Sequence, residues 1–413
     1  MKFEVRMPKC ERFEFEGTDN SKIPGSMTAS TQTPERESDA GFEAPVRTSN
    51  FDISTSSSSN FRSSRLAQLT FGNGRRVDFP VVFAPMAGLS HVAFRQVVRS
   101  YLPAGASTLL FTEMLSTRLL PGEDVGETPQ TQVAPGEEDL IPQLLGNDER
   151  LIAQSLEKLN AIRPAGIDIN MGCPVSKVLK HNWGVALMGD IGYAEKVVRE
   201  TRRSTQLPLS VKMRTGLTDD PEYLVDFALM LQEAGADWIT LHPRIQAHHR
   251  KGSANWTYIA RVREAVRIPV VGNGDVQESD DVLRMQAATG CDGVMVARAS
   301  TARPWIFWQV GESLGLPPPA GREGEQAPRN PAEEGLEYGR ALNHFCDELE
   351  QRFLPEQQLP RLRLFLAWGH KWLFFGHYLS TRVNRCSDLP AARKVINTFF
   401  AESKTMQPRT SLQ

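Results

Sequence analysis

The sequence predicts an α/β fold: a (β/α)8 TIM barrel followed by a small C-terminal all-helical domain and preceded by a disordered N-terminal extension. Short apolar runs bounded by Gly, Pro, Asn or Asp alternate with segments of helical periodicity, which is the pattern of a parallel sheet. Eight such units fit within about 230 residues, the size of one closed barrel. Most of the runs are almost wholly apolar, as strands covered on both faces should be.

The eight apolar runs are predicted to form the strands of the barrel. In chain order they are Val81–Ala84, Thr108–Thr112, Ile141–Leu145, Ile167–Asn170, Leu209–Met213, Trp238–His242, Val270–Asn273 and Gly293–Ala297. Between them, apolar residues recur at spacings of three and four. This periodicity predicts helices over Ala93–Arg99, Glu149–Ala161, Ala194–Ser204, Pro221–Ala234, Tyr258–Val266 and Glu278–Ala288.

Composition divides the chain into four parts. Residues 1–64 are rich in Ser, Thr and Glu and poor in apolar residues, so we expect them to be disordered. Residues 65–316 hold the predicted barrel. The stretch 317–334 is rich in Pro, Gly and charged residues, which predicts a linker that packs no core. Residues 335–413 return to helical periodicity and form the predicted helical domain.

Polar side chains stand at the carboxyl ends of the predicted strands, where the loops of such a barrel converge and catalytic groups are found. These side chains are Glu113, Gln143, Asn170, Cys173, Lys212, Arg214, His242, Arg244, Asn273, Asp275 and Arg298. Because so many strand ends have a titratable or amide group, solvated surface is a poor explanation for the pattern. The sequence therefore predicts an active site at this end of the barrel.

Cys173 is the most informative of these residues. Gly172 before it permits tight backbone geometry and Pro174 after it fixes φ, so the thiol is held at the exit of the fourth strand. Catalytic groups are presented in this way. Taken alone, a Gly-Cys-Pro sequence is more typical of a small buried hydrophobic side chain.

Two loops predict a phosphate-binding site. Gly272–Asp275 follows the seventh strand and Ala297–Ala299 the eighth, which is the corner where TIM barrels bind phosphate. The loops supply backbone N–H groups, and the guanidinium of Arg298 can bind a phosphate in bidentate fashion. A lone Gly-x-Gly is also typical of an ordinary turn, but this position favours a phosphorylated ligand.

A set of motifs resembles, in order and spacing, that of the tRNA-dihydrouridine synthases over residues 78–310. The motifs are Phe83-Ala84-Pro85-Met86-Ala87-Gly88, Thr112-Glu113-Met114, Gln143-Leu144-Leu145-Gly146, Asn170-Met171-Gly172-Cys173-Pro174, Gly184-Val185-Ala186-Leu187-Met188, Val211-Lys212-Met213-Arg214, His242-Pro243-Arg244 and Gly272-Asn273-Gly274-Asp275. The resemblance implies an FMN enzyme that reduces particular uridines of tRNA with NADPH, in which a C-terminal helical domain binds the RNA. One departure is Pro243, where the family often has Gly, because proline removes a backbone donor.

The resemblance also implies roles for single residues. Cys173 is implied as the catalytic acid, and Asn170 and Arg214 as substrate-binding residues; no metal site is expected. The residues expected around FMN, from the resemblance and the phosphate corner together, are Pro85, Met86, Gln143, Lys212, His242, Asn273, Gly274, Asp275, Ala297 and Arg298.

The residue types suit this chemistry. Saturating the 5,6 double bond of uracil needs a hydride at carbon 6 and a proton at carbon 5. A thiol is mostly protonated at neutral pH and can still release its proton, as Cys173 would have to do. An ammonium at Lys212 would stabilise the negative charge that two-electron reduction leaves on a flavin. On its own, a lysine at a strand end is also typical of a salt-bridged or snorkelling side chain.

The C-terminal part of the chain is basic. Residues 339–413 contain eleven Lys or Arg against six Asp or Glu, although the whole chain has a formal net charge of −2. Such a segment is what a polyanion requires, so we expect tRNA to bind here. Five aromatic residues lie among these charges: Trp368, Trp372, Phe374, Phe375 and Tyr378. Their helical spacing predicts core side chains rather than base-stacking platforms.

The cysteine content and the lack of long apolar stretches predict the cellular compartment of the protein. Five cysteines without close metal-ligand spacing suit a reducing cytoplasm and no zinc site. No apolar stretch approaches a membrane span and the N-terminus lacks the apolar segment of a secretory signal, so we expect a cytoplasmic protein with no membrane contact. We also expect a monomer.

Two alternative functions fit parts of the pattern. A flavin barrel acting on a free small molecule, similar to dihydroorotate dehydrogenase, would explain FMN, Lys212 and the phosphate corner equally well, but it leaves the basic helical segment unexplained. A catalytically idle barrel that binds RNA would be favoured only without Cys173 or Lys212, and both are present.

Overall fold

The computed structural model describes residues 64–71, 74, 76–249 and 251–411. The predicted disordered extension over 1–64 therefore lies outside the described residues, except for its last member. Ser64 is buried and its hydroxyl donates to the carbonyl oxygen of Asp292 at 2.8 Å. The packed part of the chain thus includes this residue, which the sequence assigned to the extension.

Eight parallel strands close the barrel, each hydrogen-bonded to the next in chain order and the last to the first. They are β1 (Val81–Phe83), β2 (Leu110–Ser116), β3 (Leu140–Leu145), β4 (Ile167–Met171), β5 (Leu209–Gly216), β6 (Trp238–Ile245), β7 (Val270–Asn273) and β8 (Gly293–Val296). The predicted TIM barrel is confirmed. The carboxyl ends of β2, β5 and β6 extend past their predicted bounds because polar residues there interrupt the apolar run without interrupting the strand.

Helices follow most of the strands, as predicted. They are α1 (Val92–Arg99), α2 (Glu149–Leu159), the single turn α3 (Ser176–Leu179), α4 (Ile191–Arg203), α5 (Pro221–Glu233), α6 (Thr257–Ala265), α7 (Ser279–Thr289) and α8 (Ile306–Ser313). Asp148, Asp190 and Asp220 begin α2, α4 and α5, because the carboxylate of each accepts a hydrogen bond from a backbone N–H of the first turn.

The lower half of the barrel interior is apolar. Phe111, Ile141, Trp238 and Met295 are fully or almost fully buried and belong to one hydrophobic cluster. Phe71, before the first strand, packs edge-on against Trp238 with ring centroids 5.5 Å apart and so helps to cover the bottom of the barrel. Because apolar side chains fill the lower half, polar groups converge in the upper part of the interior, at the carboxyl ends of the strands.

The C-terminal helices are α9 (Pro331–Arg352), α10 (Pro355–Gly369), α11 (Gly376–Asn384) and α12 (Leu389–Phe400). They share a core with the barrel: Phe345 of α9 stacks on Phe365 of α10 at 4.4 Å, and Phe94 of α1 meets Phe365 edge-on at 4.9 Å. Barrel and helices accordingly form one compact unit. The predicted helical C-terminal region is confirmed.

The segment between barrel and helices follows the barrel surface. The backbone N–H of Ala104 donates to the carbonyl oxygen of Pro318 at 3.2 Å. Arg322 forms an ion pair with Glu337 at 2.9 Å, and its guanidinium lies 4.7 Å from the ring centroid of Trp308. α9 begins at Pro331, inside the predicted linker.

The predicted core position of the five aromatic residues is wrong for three of them. Trp372 is buried and Trp368 partly so, whereas Phe374, Phe375 and Tyr378 are 50%, 77% and 55% exposed. The physical reason is that residues 370–375 form a 3-10 turn and a loop before α11, so helical spacing does not place these side chains on one inner face.

Within the described residues, none of the helices is long and apolar enough to cross a membrane.

Candidate active site at the mouth of the barrel

The strand register brings the predicted side chains together. Asn170 on β4 lies opposite Lys212 on β5, and Arg214 on β5 lies opposite His242 on β6. Side chains two residues apart on a strand point to the same face, so Lys212 and Arg214 share the inner face of β5. Four predicted site residues therefore meet at one place on the upper rim.

The loop after β4 is fixed around Cys173. The side-chain oxygen of Asn170 accepts from the backbone N–H groups of Gly172 at 3.1 Å and of Cys173 at 2.9 Å. The Nε of Arg214 donates to the carbonyl oxygen of Gly172 at 2.8 Å, and the N–H of Val185 donates to that of Cys173 at 3.2 Å. The loop holds the half-buried thiol in one place, and it engages polar atoms of Asn170 and Arg214, the two residues expected to bind substrate.

Burial raises the pKa of the Cys173 thiol. A backbone hydrogen bond from Val175 and the positive charges of Arg214 and Lys212 oppose this effect without cancelling it. The thiol is therefore protonated at neutral pH, and it can act as a proton donor.

A buried carboxylate lies directly beneath this loop. Asp168 accepts from the side-chain amide of Gln143 at 2.6 Å and from the hydroxyl of Ser210. The amide nitrogen of Asn170 in turn donates to the side-chain oxygen of Gln143 at 2.8 Å. These bonds form a continuous chain from Ser210 through Asp168, Gln143 and Asn170 to the backbone N–H of Cys173.

Sequence reasoning missed Asp168, because the residue lies within an apolar run and reads as part of a buried strand. A signal was present: a carboxylate inside an otherwise apolar parallel strand must be buried, and buried charges are paired or hydrogen-bonded. Burial raises the pKa of Asp168 to about 7, against the effects of Ser210, Gln143 and Lys212. Asp168 is therefore partly protonated near neutral pH.

Lys212 lies above this carboxylate. Burial lowers its pKa to about 8 and the neighbouring charge of Arg214 acts in the same direction, while Asp168 and Cys173 oppose the shift. None of the described residues forms a hydrogen bond with its ammonium group. A cation that is kept charged at neutral pH and left without such a partner is suited to compensate a negative charge on a bound molecule.

His242 is neutral. Burial lowers its pKa well below the usual value, and the surrounding positive charges of Arg214, Lys212, Arg244 and Arg298 lower it further. Nη1 of Arg244 lies 2.9 Å from Nε2 of His242. Because a guanidinium can only donate, Nε2 must accept, which leaves the ring proton on Nδ1.

The loop after β7 contains two successive residues with positive φ, and the first of them has no room for a side chain. Gly274 has φ +117°, and a Cβ there would lie 2.9 Å from both Cβ of Ala254 and Cδ2 of His242. Asp275 also has a positive φ of 60°. Its carboxylate accepts from Nη2 of Arg244 at 2.6 Å and from the N–H of Ala254 at 2.6 Å, so this side chain supports the loop.

A side-chain hydrogen bond joins the end of β7 to β8, next to the two loops predicted to bind phosphate. The side-chain amide of Asn273 donates to the carbonyl oxygen of Met295 at 2.7 Å. Ala297 then begins a 3-10 turn, its carbonyl accepting from the N–H of Ser300 at 3.0 Å. The guanidinium of Arg298 lies 6.0 Å from the ring centroid of Trp368 on α10.

The loop after β1 completes the rim, with Pro85 and Met86 partly exposed. The N–H of Met86 donates to the hydroxyl of Ser90 at 2.8 Å, and the N–H of Gly88 donates to the carboxylate of Glu113 at 2.6 Å. A Cβ at Gly88 would lie 2.6 Å from the side chain of Leu364 on α10. The C-terminal helices therefore touch the rim itself.

A closed (β/α)8 barrel whose strand ends bring together a protonated thiol, an ammonium group and a buried carboxylate defines a TIM-barrel enzyme. The model of the dihydrouridine synthase family matches residues 82–346, more than half of the chain. The chain belongs to this family.

Curated relatives agree with this assignment. The chain is 34% identical over 244 residues to a probable tRNA-dihydrouridine synthase 1 of Synechocystis, a match that covers 57% of this chain and 67% of the relative. It is 32% identical over 328 residues to a probable tRNA-dihydrouridine synthase of Rhodobacter capsulatus, covering 79% and 96%. It is 29% identical over 322 residues to tRNA-dihydrouridine synthase B of Pseudomonas aeruginosa, covering 78% and 93%.

Proposed function

We propose that this protein is a tRNA-dihydrouridine synthase that uses NADPH and FMN to reduce the 5,6 double bond of specific uridines in tRNA, with Cys173 as the general acid. The observation that supports this most is the fixed, half-buried and protonated thiol of Cys173 beside the ammonium of Lys212, in a chain of this family. The free thiols of the four cysteines in the described part of the chain suit a reducing compartment such as the cytoplasm.

The charges at the barrel mouth fit FMN. Four cations lie close enough to His242 to lower its pKa: Lys212, Arg214, Arg244 and Arg298. The positive charge around His242 therefore exceeds the negative charge of the carboxylates there. A ligand with a phosphate and an anionic reduced form would balance these charges. The residues that would hold it are Pro85, Met86, Gln143, Lys212, His242, Asn273, Gly274, Asp275, Ala297 and Arg298. When bound, FMN would take a hydride from NADPH and deliver it to carbon 6 of uracil.

Cys173 would supply the other hydrogen. Its thiol proton would pass to carbon 5 of uracil, and the thiolate left behind would be stabilised by the charges of Arg214 and Lys212, which already act on this group. Asn170 and Arg214 would keep the thiol loop in place and would contact the uracil as substrate-binding residues.

The test is to separate the two half-reactions in the full chain with Cys173→Ala. We expect flavin content and NADPH oxidation to be unchanged, because they use other groups. We expect reduction of an unmodified tRNA transcript, measured by mass spectrometry as a gain of two hydrogens at uridine, to slow by roughly 10²–10⁴, the usual loss for a general acid.

Cys386→Ala is the matched control, since Cys386 is a partly buried thiol beyond α11, outside the barrel. It should reduce uridine at the wild-type rate. Full activity of Cys173→Ala would mean that the thiol is only structural. A wild-type protein that oxidises NADPH but leaves tRNA unchanged would favour a flavin barrel that acts on a free small molecule.

A further inference from the structure

Helix α11 and the residues that flank it carry two exposed aromatic and two exposed basic side chains. Phe375, Tyr378, Arg382 and Arg385 follow one another at spacings of three, four and three, and all four are exposed. The spacing places Tyr378, Arg382 and Arg385 on one face of the helix, and Phe375 is the residue immediately before it. We call this set the aromatic stripe. On the opposite face the helix buries Leu379 and other residues against the core.

The chain segment that leads into the aromatic stripe is fixed by contacts of Trp372, Phe374 and Gly376. Trp372 is fully buried, and its indole N–H donates at 3.1 Å to the side chain of Gln277 in the loop after β7. The N–H of Phe374 donates to the carbonyl oxygen of Thr405 at 3.0 Å. The backbone of Gly376 packs so closely on the carbonyl of His370 that a Cβ would collide with it.

Phe375 is strained as well as exposed. It has φ 58° and ψ 16°, the left-handed conformation that bulky residues rarely adopt. Its ring is 77% exposed, so core packing does not compensate this strain. Strain of this kind is retained when the surrounding structure enforces it, and it is concentrated at functional sites.

Charge around the aromatic stripe selects the partner. Between residues 357 and 387 the chain has five Lys or Arg and no Asp or Glu. Arg382 donates to the hydroxyl of Tyr378 at 3.1 Å, and Lys371 lies 5.2 Å from the ring centroid of Trp368. Exposed rings interleaved with cations are the means by which proteins bind unpaired bases and their phosphates. A basic segment that contains exposed rings and no acidic residue therefore favours RNA over a protein partner.

We propose that Phe375 and Tyr378 stack on an unpaired base of the tRNA and that Lys371, Arg382 and Arg385 contact the flanking phosphates. This proposal rests on the proposed function for the identity of the RNA. The proposal gives the nucleic acid a second contact, outside the barrel mouth. Such a contact is needed because a uridine must leave its stack to enter the mouth, and other contacts must offset the free energy that this costs.

The test measures the dissociation constant of the full-length protein for an unmodified tRNA transcript, using Phe375→Ala and Tyr378→Ala. Loss of one stacked base should weaken binding about 5- to 100-fold. Phe375→Trp should restore wild-type affinity, whereas Phe375→Leu, which keeps an apolar side chain without a ring, should not. Leu336→Ala on α9 is the control, because Leu336 is also more than half exposed but lies in an acidic part of the helix.

Two further measurements distinguish stacking from a structural role. Phe375→Gly removes the ring and the left-handed strain together, so its melting temperature should stay within about 3 °C of wild type while affinity falls. The salt dependence should separate the two residue types: Arg382→Ala should reduce the slope of log affinity against log salt by about 1, and Phe375→Ala should leave the slope unchanged.

These experiments distinguish failure of the stacking proposal from failure of the proposed function. A wild-type protein that fails to bind or reduce tRNA would contradict the proposed function itself. Normal tRNA reduction by the wild type, with Phe375→Ala binding within twofold of it, would contradict the stacking proposal alone. Wild-type protein that self-associates in light scattering, with Phe375→Ala monomeric and unchanged in RNA affinity, would assign the aromatic stripe to contact with a second copy of the chain.

Discussion

Arg214 donates from Nε to the carbonyl oxygen of Gly172 at 2.8 Å, so a guanidinium on β5 holds the residue that precedes Cys173 on the loop after β4. Together with the two bonds to the side chain of Asn170, this contact fixes the thiol from two neighbouring strands. The position of the proposed acid therefore depends on the sheet register as much as on its own loop.

The first prediction concerns Asn170. Asn170→Ala removes the acceptor for two backbone N–H groups of the thiol loop, so we expect kcat for uridine reduction to fall about 10- to 100-fold as the acid loses its alignment. Steady-state kinetics with a tRNA transcript would measure this effect. Asn170→Asp keeps the acceptor oxygen and should recover part of kcat. An equal rise of KM in both variants, with kcat unchanged, would mean that Asn170 binds uracil but does not align the acid.

The second prediction concerns pH. The pKa of Lys212 is about 8, so the residue is charged below that pH and neutral above it. If its charge stabilises reduced flavin, NADPH-dependent flavin reduction should decline as the pH rises through about 8. Asp168→Asn removes a negative charge that favours the ammonium form, so the decline should move to lower pH. Stopped-flow absorbance across pH 6 to 10 would show this, and an unmoved profile would mean that another group titrates.

The third prediction concerns the phosphate corner. Arg298→Ala should weaken FMN binding by about 1.5–3 kcal/mol, the range for a hydrogen bond to a charged group. Titration of the flavin-depleted full chain would give the value. Arg267→Ala is the control, since Arg267 is a surface residue paired with Glu233 on the outside of the barrel. Equal FMN affinity in the Arg298 variant and the control would exclude Arg298 from the cofactor site.

The fourth prediction concerns the shared core. Phe345→Ala should lower the free energy of unfolding by about 3–5 kcal/mol, because the ring is fully buried between the barrel and α10. The exposed Leu336→Ala on the same helix should change it by no more than about 0.5 kcal/mol. We also expect a chain that ends at Asn330 to aggregate, since truncation uncovers Phe94. A soluble, cooperatively folded truncated barrel would contradict the shared core.

The barrel was predictable because each buried strand appears in the sequence as a short apolar run between helical segments. Trp238 and Ile167, for example, begin β6 and β4 as predicted. The rim residues were predictable because polar side chains follow such runs. Asp168 was not, since one carboxylate hardly alters the pattern of a buried strand. The exposure of Phe375 was not either, because it depends on the shape of a loop in which Trp372 bonds the distant Gln277 and Gly376 packs closely on His370.

The close approach of Gly88 and Leu364 limits how this protein can be recombined with its relatives. Since a side chain at position 88 would have to displace the terminal methyl group of Leu364, we expect the loop after β1 and the facing side chain of α10 to change together. A chimaera that takes its helices from another family member should therefore keep this contact if the donor supplies residues 85–90 too.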